Sequence, residues 1–293
     1  MRIDPNKKFK FTSYEDLLGI SDEADDRRIT NLSLSQLHAF KDHPYKVLDN
    51  QDMNELVESI RANGILTPIV VRKKGEGEYE IISGHRRTHA AALAGMTTVP
   101  AIIHDCSDDE AAIAMVDLNI QRKNISHSEK AKAYKIKYDA MKHQGKRYGK
   151  DALEEMAEAS GENKKKIQQY LRLTSLSEDL LRMIDEKKLG FSQGVDISFM
   201  SEQEQKWIFE ILQKSGESIT TYKSAKLKEL SQNSELSKEQ VEGLVYAYVS
   251  KPESVTIGKK ELCRVLGRGY EKGFVEELII SLLEQWKSEQ AEG

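Results

Sequence analysis

Apolar positions along the chain follow two periods. Short β-branched runs mark strands at 29–34 (leading to Leu37), 68–72, 79–82 and 99–104. Spacings of three and four mark helices between them. Asp52 is read as the cap of a helix over 53–62, with Leu56, Val57 and Ile60 on one face and Asn63-Gly64 at its end. A Gly-containing hairpin over 74–78 joins two of the strands, and His43-Pro44-Tyr45 forms a turn. A second helix enters at His85 and ends near Gly95, and Ser107 with Glu110 makes a capping box for a third over 108–118. Together these predict a small mixed α/β domain over 30–122.

Beyond that point nearly every periodic segment is helical. Ser126 and Glu129 cap a helix running to about Lys142 with Ala131, Tyr134, Ile136 and Tyr138 in it, and Lys146, Arg147 and Lys150 read as a basic linker. Residues 153–173 read as a helix-turn-helix. The small Ala157 stands where the two helices cross, Gly161 in the turn, and Ile167 packs the second helix inward. That second helix is expected to bury Ile167, Tyr170 and Leu171. It exposes Asn163, Lys164, Lys165, Gln168, Gln169 and Arg172, which join phosphate-seeking cations to amides able to read base edges. The alternative is a helical hairpin with a solvated Lys-rich face. Helices at 178–187, 195–199 and 202–214, the last capped by Ser201 and Glu204, complete an all-α domain over 123–216.

Residues 217–236 read as a linker or exposed helix bearing Lys223, Lys226 and Lys228. The final unit, 237–293, is α-rich. A Ser237/Gln240 box precedes a helix over 241–249, Val255-Thr256-Ile257 forms a short strand, and a last helix spans 273–286. Its stripe of Phe274, Val275, Leu278, Ile279, Leu282, Leu283 and Trp286 is first a domain core and second a dimerisation face. Residues 1–29 mix Lys7, Lys8 and Lys10 with the acidic stretch Asp22-Glu23-Ala24-Asp25-Asp26 and predict a flexible tail.

Composition narrows the class. With 293 residues, 39% of them hydrophobic, the chain has material for two or three domains. The net charge is only −4 despite 31% charged residues, so a nucleic-acid surface must be local. The two cysteines, Cys106 and Cys263, match no disulfide or metal spacing and fit a reducing cytosol. No signal peptide and no membrane-length apolar run are visible, which predicts a cytoplasmic protein without a membrane partner.

The candidate chemistry centres on Tyr79-Glu80-Ile81-Ile82-Ser83-Gly84-His85-Arg86-Arg87. A strand enters a helix through glycine, and the first turn of that helix carries two arginines. Helix N–H groups, the helix dipole and guanidinium forks all suit a phosphate. The alternative is a tight corner with solvated arginines. Asn119-Ile120-Gln121-Arg122 adds amides and a further guanidinium where another helix ends, or forms an ordinary polar C-terminus. His85 and His89, four residues apart, could face a metal, but no third ligand is evident and no metal is assigned.

In order and spacing the pieces resemble the ParB family of partition proteins across about residues 32–200. They are Leu56-Val57-Glu58-Ser59-Ile60, Asn63-Gly64, Thr67-Pro68-Ile69-Val70-Val71, Ile82-Ser83-Gly84-His85-Arg86-Arg87-Thr88-His89-Ala90-Ala91 and Asn119-Ile120-Gln121-Arg122. The resemblance implies an α+β fold: a ParB/sulfiredoxin-like N-domain, then a helix-turn-helix domain and a small α-rich C-terminal domain. It implies sequence-specific binding of double-stranded DNA in plasmid, chromosome or mobile-element partition. A homodimer associated with nucleoid or plasmid, and a ParA-type ATPase partner, are implied with it. In the family the Gly-Glu-Arg-Arg and Glu-Asn-x-Gln-Arg motifs bind CTP, which closes a clamp around DNA. Carried over, Ser83, Gly84, His85, Arg86, Arg87, Asn119, Gln121 and Arg122 form the CTP site, with or without Mg²⁺.

The departures are His85 and Leu118 where the family places glutamates, which predicts hydrolysis of CTP that is slow or absent. The region equivalent to the family box Asn-Pro-x-Gln-Pro-Arg reads Asp42-His43-Pro44-Tyr45-Lys46-Val47, a weak match. Two rival readings keep the same N-fold: a nucleotide-dependent kinase or nuclease, and a transcriptional regulator without nucleotide. Sulfiredoxin activity is disfavoured because residues 83–88 contain no cysteine.

Overall fold

A computed structural model of the chain describes residues 29–120, 122, 125–143 and 150–246, with 264, 266, 274–275, 277–279 and 281–282 beyond them. Two compact units are present, Met1–Tyr246 and Ala247–Gly293. The tail at 1–28, the linker residues Lys146 and Arg147, and the strand expected at 255–257 lie outside the described residues. Those described within 273–286 are helical, as the stripe predicts.

The first domain comprises β1 (Thr30–Ser33), one 3₁₀ turn (Leu34–Gln36), β2 (Leu37–His38), α1 (Gln51–Asn63), β3 (Ile69–Gly75), β4 (Glu78–Ser83), α2 (His85–Leu93), β5 (Thr98–His104) and α3 (Asp108–Ile120). Its five-stranded sheet has the order β1-β5-β3-β4-β2. β3 runs parallel to β5 and antiparallel to β4. Central position explains the unbroken Ile69-Val70-Val71 run: both faces of β3 are covered, so consecutive residues are fully buried. Val70 joins Ile82 and Met115 on one face, while Ile69 and Val71 join Leu32, Ala91 and Val99 on the other. α1 seals its own contact with α2 through Met53, Val57 and Ile60 against Ala90.

Two local expectations are corrected. The cap of α1 is Asn50, whose Oδ1 accepts from Met53 N–H at 3.1 Å, so the helix begins earlier than Asp52 implied. Asp52 instead lies in the first turn, where its charge complements the dipole. The hairpin is also tighter than 74–78, because ladder pairing between β3 and β4 continues to Gly75 and Glu78.

Arg72 and Glu80, paired across β3 and β4, are almost wholly buried. Arg72 Nε donates to Glu80 at 2.8 Å, its two Nη groups reach Glu80 and Asp108, and Lys74 also donates to Glu80. The cluster ties the sheet to the first turn of α3.

The helical body follows with α4 (His127–His143), α5 (Lys150–Ser160), α6 (Lys164–Leu173), α7 (Glu178–Asp185), α8 (Phe191–Ile197), α9 (Glu202–Ser215), α10 (Thr221–Gln232) and α11 (Lys238–Tyr246). α3 lies along α4, where the nearly buried Lys137 pairs with Asp117. The capping boxes read at Ser107, Ser126, Ser201 and Ser237 are all formed. α5 and α6 make the helix-turn-helix: Gly161 turns with φ of +71°, Ala157 packs against the core, and Ile167 is fully buried. With Ile167 and Tyr170, Leu173 rather than Leu171 is fully buried, and Leu171 is half-buried.

The helix expected at 195–199 starts earlier, at Phe191. The stretch expected as a linker or exposed helix contains the helix α10, which is packed rather than exposed. Its Leu227 shares one core with Tyr134, Tyr170 and Ile208, and Val241 and Val245 of α11 complete that core. The apolar positions of α10 are too few to mark it as packed from sequence.

Glu80 titrates below the ordinary carboxyl range. Burial alone would raise it, but hydrogen bonds from Lys74 and Arg72 outweigh burial. Since the folded value lies below the unfolded one of about 4.3, Glu80 contributes stability above that pH, lost as pH falls through the folded value. Urea unfolding of Glu80→Ala at pH 7 is therefore expected to show a loss of about 3–5 kcal/mol, since Arg72 is left buried and unpaired. The variant's unfolding free energy is expected to fall less steeply than that of the wild type as pH drops below about 4.3.

Candidate phosphate cleft and helix-turn-helix face

The corner after β4 is built on glycine. Gly84 caps α2 with φ of +109°, in the left-handed region. A Cβ there would lie 2.6 Å from Ile69 Cγ2, so β4 could not approach β3 and still enter the helix. Ser83, just before it, is buried at the strand end.

A narrow cleft opens at this corner, lined by His43, Tyr45, Lys46, Val47, Gly84, His85, Arg86, Asn119 and Arg122. The corner itself supplies Gly84, α2 supplies His85 and Arg86, α3 supplies Asn119 with Arg122 just beyond its end, and the loop after β2 supplies His43, Tyr45, Lys46 and Val47. Two motifs 35 residues apart in sequence thus meet in one place, as their chemistry suggested. Gln121 lies outside the described residues.

No described residue lining the cleft is acidic. Burial lowers the Arg122 pKa, with the nearby positive charge of Arg86 acting in the same direction. His85 is stacked on His43 with ring centroids 3.8 Å apart, and its Nε2 accepts from Phe40 N–H at 3.3 Å. Burial, then His43 and Arg122, push its pKa down to about 3. His43 Nδ1 donates to the Tyr45 carbonyl at 2.8 Å, and burial lowers its pKa as well. The cleft therefore presents fixed guanidinium charge and neutral imidazoles, an environment suited to a polyanion.

Other expected site residues are used by the fold itself. Arg87 is not among the cleft-lining residues and donates to the carbonyls of Thr67 and Pro68, the latter at 2.8 Å, bracing the approach to β3. Asn119 donates through Nδ2 to Met115 O at 2.7 Å within its own helix, leaving Oδ1 as its remaining polar end. His89 binds Asp49 at 2.7 Å while His85 faces Phe40, so the two histidines do not converge on a metal. Leu118 packs into the apolar core beneath the cleft.

The loop residues were missed as site residues. Their one pointer in the sequence was the partial likeness of His43-Pro44-Tyr45-Lys46-Val47 to a family box. Lys46 N–H donates to Glu129 Oε1 at 2.9 Å, while Glu129 Oε2 accepts from Ser126 N–H at 3.0 Å. One carboxylate thus joins the cleft loop to the first turn of α4.

On α6, Lys165 and Gln168 are exposed, and Lys164 and Gln169 are half-buried. Asn163 spends its carbonyl oxygen capping the helix, accepting from Lys166 N–H at 2.8 Å. Lys164 pairs with Glu154 of α5. Arg172, expected to face outward, is instead half-buried: it donates to Ser198 O at 2.5 Å and lies over the Phe199 ring at 4.2 Å. The α8 end lies close enough to capture it, which no local pattern announced. Among the described residues no helix is long and apolar enough to cross a membrane.

Fold and site together define a class, an α/β domain with a cationic cleft at a strand–glycine–helix corner, joined to a helix-turn-helix domain. Residues 20–120 match the model of the ParB N-terminal domain and residues 123–231 that of the ParB HTH domain. The chain belongs to the ParB family. It is 31% identical over 189 residues to the probable chromosome 1-partitioning protein ParB of Deinococcus radiodurans, covering 64% of this chain and 62% of that protein. It spans 62%, 56% and 56% of the lengths of three curated relatives.

Two structures of the C-terminally truncated chromosome-partitioning protein ParB from Caulobacter crescentus also align. The one complexed to the centromeric parS site is 21% identical over 70% of this chain and 99% of that chain, with a TM-score of 0.43. The one complexed with CTP-gamma-S is 25% identical over 62% and 96%, with a TM-score of 0.29.

Because the folded pKa of His85 lies far below its unfolded value of about 6.5, the ring stays neutral in the native protein. His85 contributes stability above that unfolded value which is lost as pH falls toward 3. In proton–carbon NMR spectra the His85 ring resonances are expected to stay constant from pH 8 to about 4.5, while those of an exposed histidine titrate.

Proposed function

We propose that this chain is a sequence-specific DNA-binding protein of ParB type, acting in partition of a chromosome, plasmid or mobile element, with CTP as its ligand at the Gly84 corner. Family membership supports partition and DNA binding. The observation that carries the ligand is the cleft: Arg86, Arg122 and Lys46 around a glycine-opened helix start, with no acidic side chain among its described lining. Bound there, CTP would supply three phosphates whose charge answers those cations. Gly84 makes the left-handed turn that starts α2 at the cleft, Arg86 and Arg122 neutralise charge, and the Asn119 Oδ1 offers an acceptor. Arg87 acts as a brace rather than a contact, and Ser83 holds the strand end. As the family resemblance implies, nucleotide occupancy would favour closure of a dimer around DNA. A ParA-type ATPase and residence on nucleoid or plasmid belong to the same reading.

Hydrolysis is expected to be slow or absent. A neutral His85 that already accepts from a backbone N–H, and a Leu118 packed in the core, leave neither a fixed carboxylate for Mg²⁺ nor a free base for water. The enzyme reading on the same fold is correspondingly disfavoured. A regulator without nucleotide remains the second reading, favoured by the engagement of Arg87 and Asn119 within the fold.

The DNA face is proposed to be Lys164, Lys165, Gln168 and Gln169, with the Asn163 amide group at its edge. Arg172 supports that face from behind.

Selection of bound DNA from a random pool would supply the cognate site, and calorimetry with and without that DNA tests the ligand. CTP is expected to bind, and Arg86→Ala to weaken it at least tenfold. Absence of CTP binding by the wild type under both conditions refutes the nucleotide reading. Phosphate release with saturating cognate DNA is expected at background rate, and rapid turnover would overturn the hydrolysis claim. Gln168→Ala is expected to relax base preference at a cost of about 1–3 kcal/mol, while Lys165→Ala lowers the salt slope by about 1 for every sequence. Unchanged footprints in both variants would remove α6 from the interface.

A further inference from the structure

The cleft holds a polar group that the fold leaves unanswered. Tyr45 is 5% exposed, and its hydroxyl is shut off from water without a hydrogen-bond partner. The ring cannot swing out easily. It packs in the core with Phe40, Val70 and Ile82, and its backbone carbonyl is held by His43 Nδ1. A buried hydroxyl forfeits the hydrogen bonds it makes in water, and nearly all such groups find a partner.

The chemistry of the cleft defines what that partner must be. Burial keeps the phenol protonated, so it has a hydrogen to donate. Lys46, Arg86 and Arg122, which line the same cleft, are donors that cannot accept from it, and the cleft's acceptors, Asn119 Oδ1 and the free nitrogen of His43, make no bond to it. The missing group is therefore an acceptor that also satisfies guanidinium groups, and the oxygens of a phosphate do both.

We propose that the Tyr45 hydroxyl donates a hydrogen bond to a phosphate oxygen of the anion bound in the cleft lined by Arg86 and Arg122. This rests on the nucleotide reading above and adds a neutral donor from the loop after β2. It also gives that loop a direct stake in occupancy, since the next residue, Lys46, is tied to α4 through Glu129.

Tyr45→Phe removes one oxygen and keeps the ring that fills the core. Calorimetry of the full chain with CTP, and separately with inorganic tripolyphosphate, both with selected cognate DNA, compares it with the wild type. The variant is expected to bind both ligands about tenfold more weakly, equivalent to ~1.4 kcal/mol. The Tm of its unliganded form should be unchanged or higher, because the orphan hydroxyl is gone. Wild-type affinity in the variant overturns the proposal and leaves the nucleotide reading intact. Weakening accompanied by a fall in unliganded Tm overturns it too, by showing that the hydroxyl serves the fold. Weakening toward CTP alone overturns the phosphate assignment. Failure of the wild type to bind either ligand refutes both readings together.

Discussion

The approach of β3 to the Gly84 corner is the constraint on which the first domain depends. Ile69 is fully buried at the head of the central strand, and its Cγ2 occupies the space a Cβ on residue 84 would need. With the glycine, β4 can pair with β3 and turn at once into α2 through a left-handed residue. That turn sets Arg86 at the cleft while Arg87, one position on, points back toward the carbonyls of Thr67 and Pro68. Two adjacent arginines thus take different tasks, because successive helical positions diverge by about 100°. One presents charge and the other fastens the segment that delivers Ile69.

Electrostatics divide the domain in a complementary way. On the sheet, the buried charges of Arg72 and Glu80 answer one another, and with Lys74 and Asp108 they form a closed set. At the corner the charges are of one sign and remain unanswered within the described lining. A buried pair of opposite charges serves structure, whereas a cluster of like charge next to neutral, desolvated imidazoles is an arrangement that a bound anion relieves. Glu129 stands at the boundary. Its two oxygens hold the cleft loop and the start of α4, so a shift in one is felt mechanically by the other.

The helix-turn-helix face is similarly narrowed by packing. Lys166 lies against the Phe191 ring at 3.4 Å, and Arg172 against Phe199 and the Ser198 carbonyl. Both cations lend their stems and charge to fixing α8 beside α6, leaving Lys165 and Gln168 as the exposed polar pair on the second helix. Cation–aromatic contacts of this kind stabilise the presentation of a helix rather than contact its ligand.

Much of this protein was legible in the sequence because it rests on local rules. The four capping boxes, the run of Ile69-Val70-Val71, the glycine corner and the spacing of Ala157, Gly161 and Ile167 each depend on residues within a few positions of one another. Their order carried the family resemblance as well. The tertiary structure decided what depends on distant neighbours. Burial of α10 comes from Leu227 meeting a core assembled from helices far away in sequence. Arg87 and Arg172 left their expected faces because backbone carbonyls at 67–68 and 198 lay within reach. Tyr45 and His43 became cleft residues because the loop after β2 folds over the corner. Local patterns state what a side chain is able to do, but the partner it finds depends on long-range packing that no local period encodes.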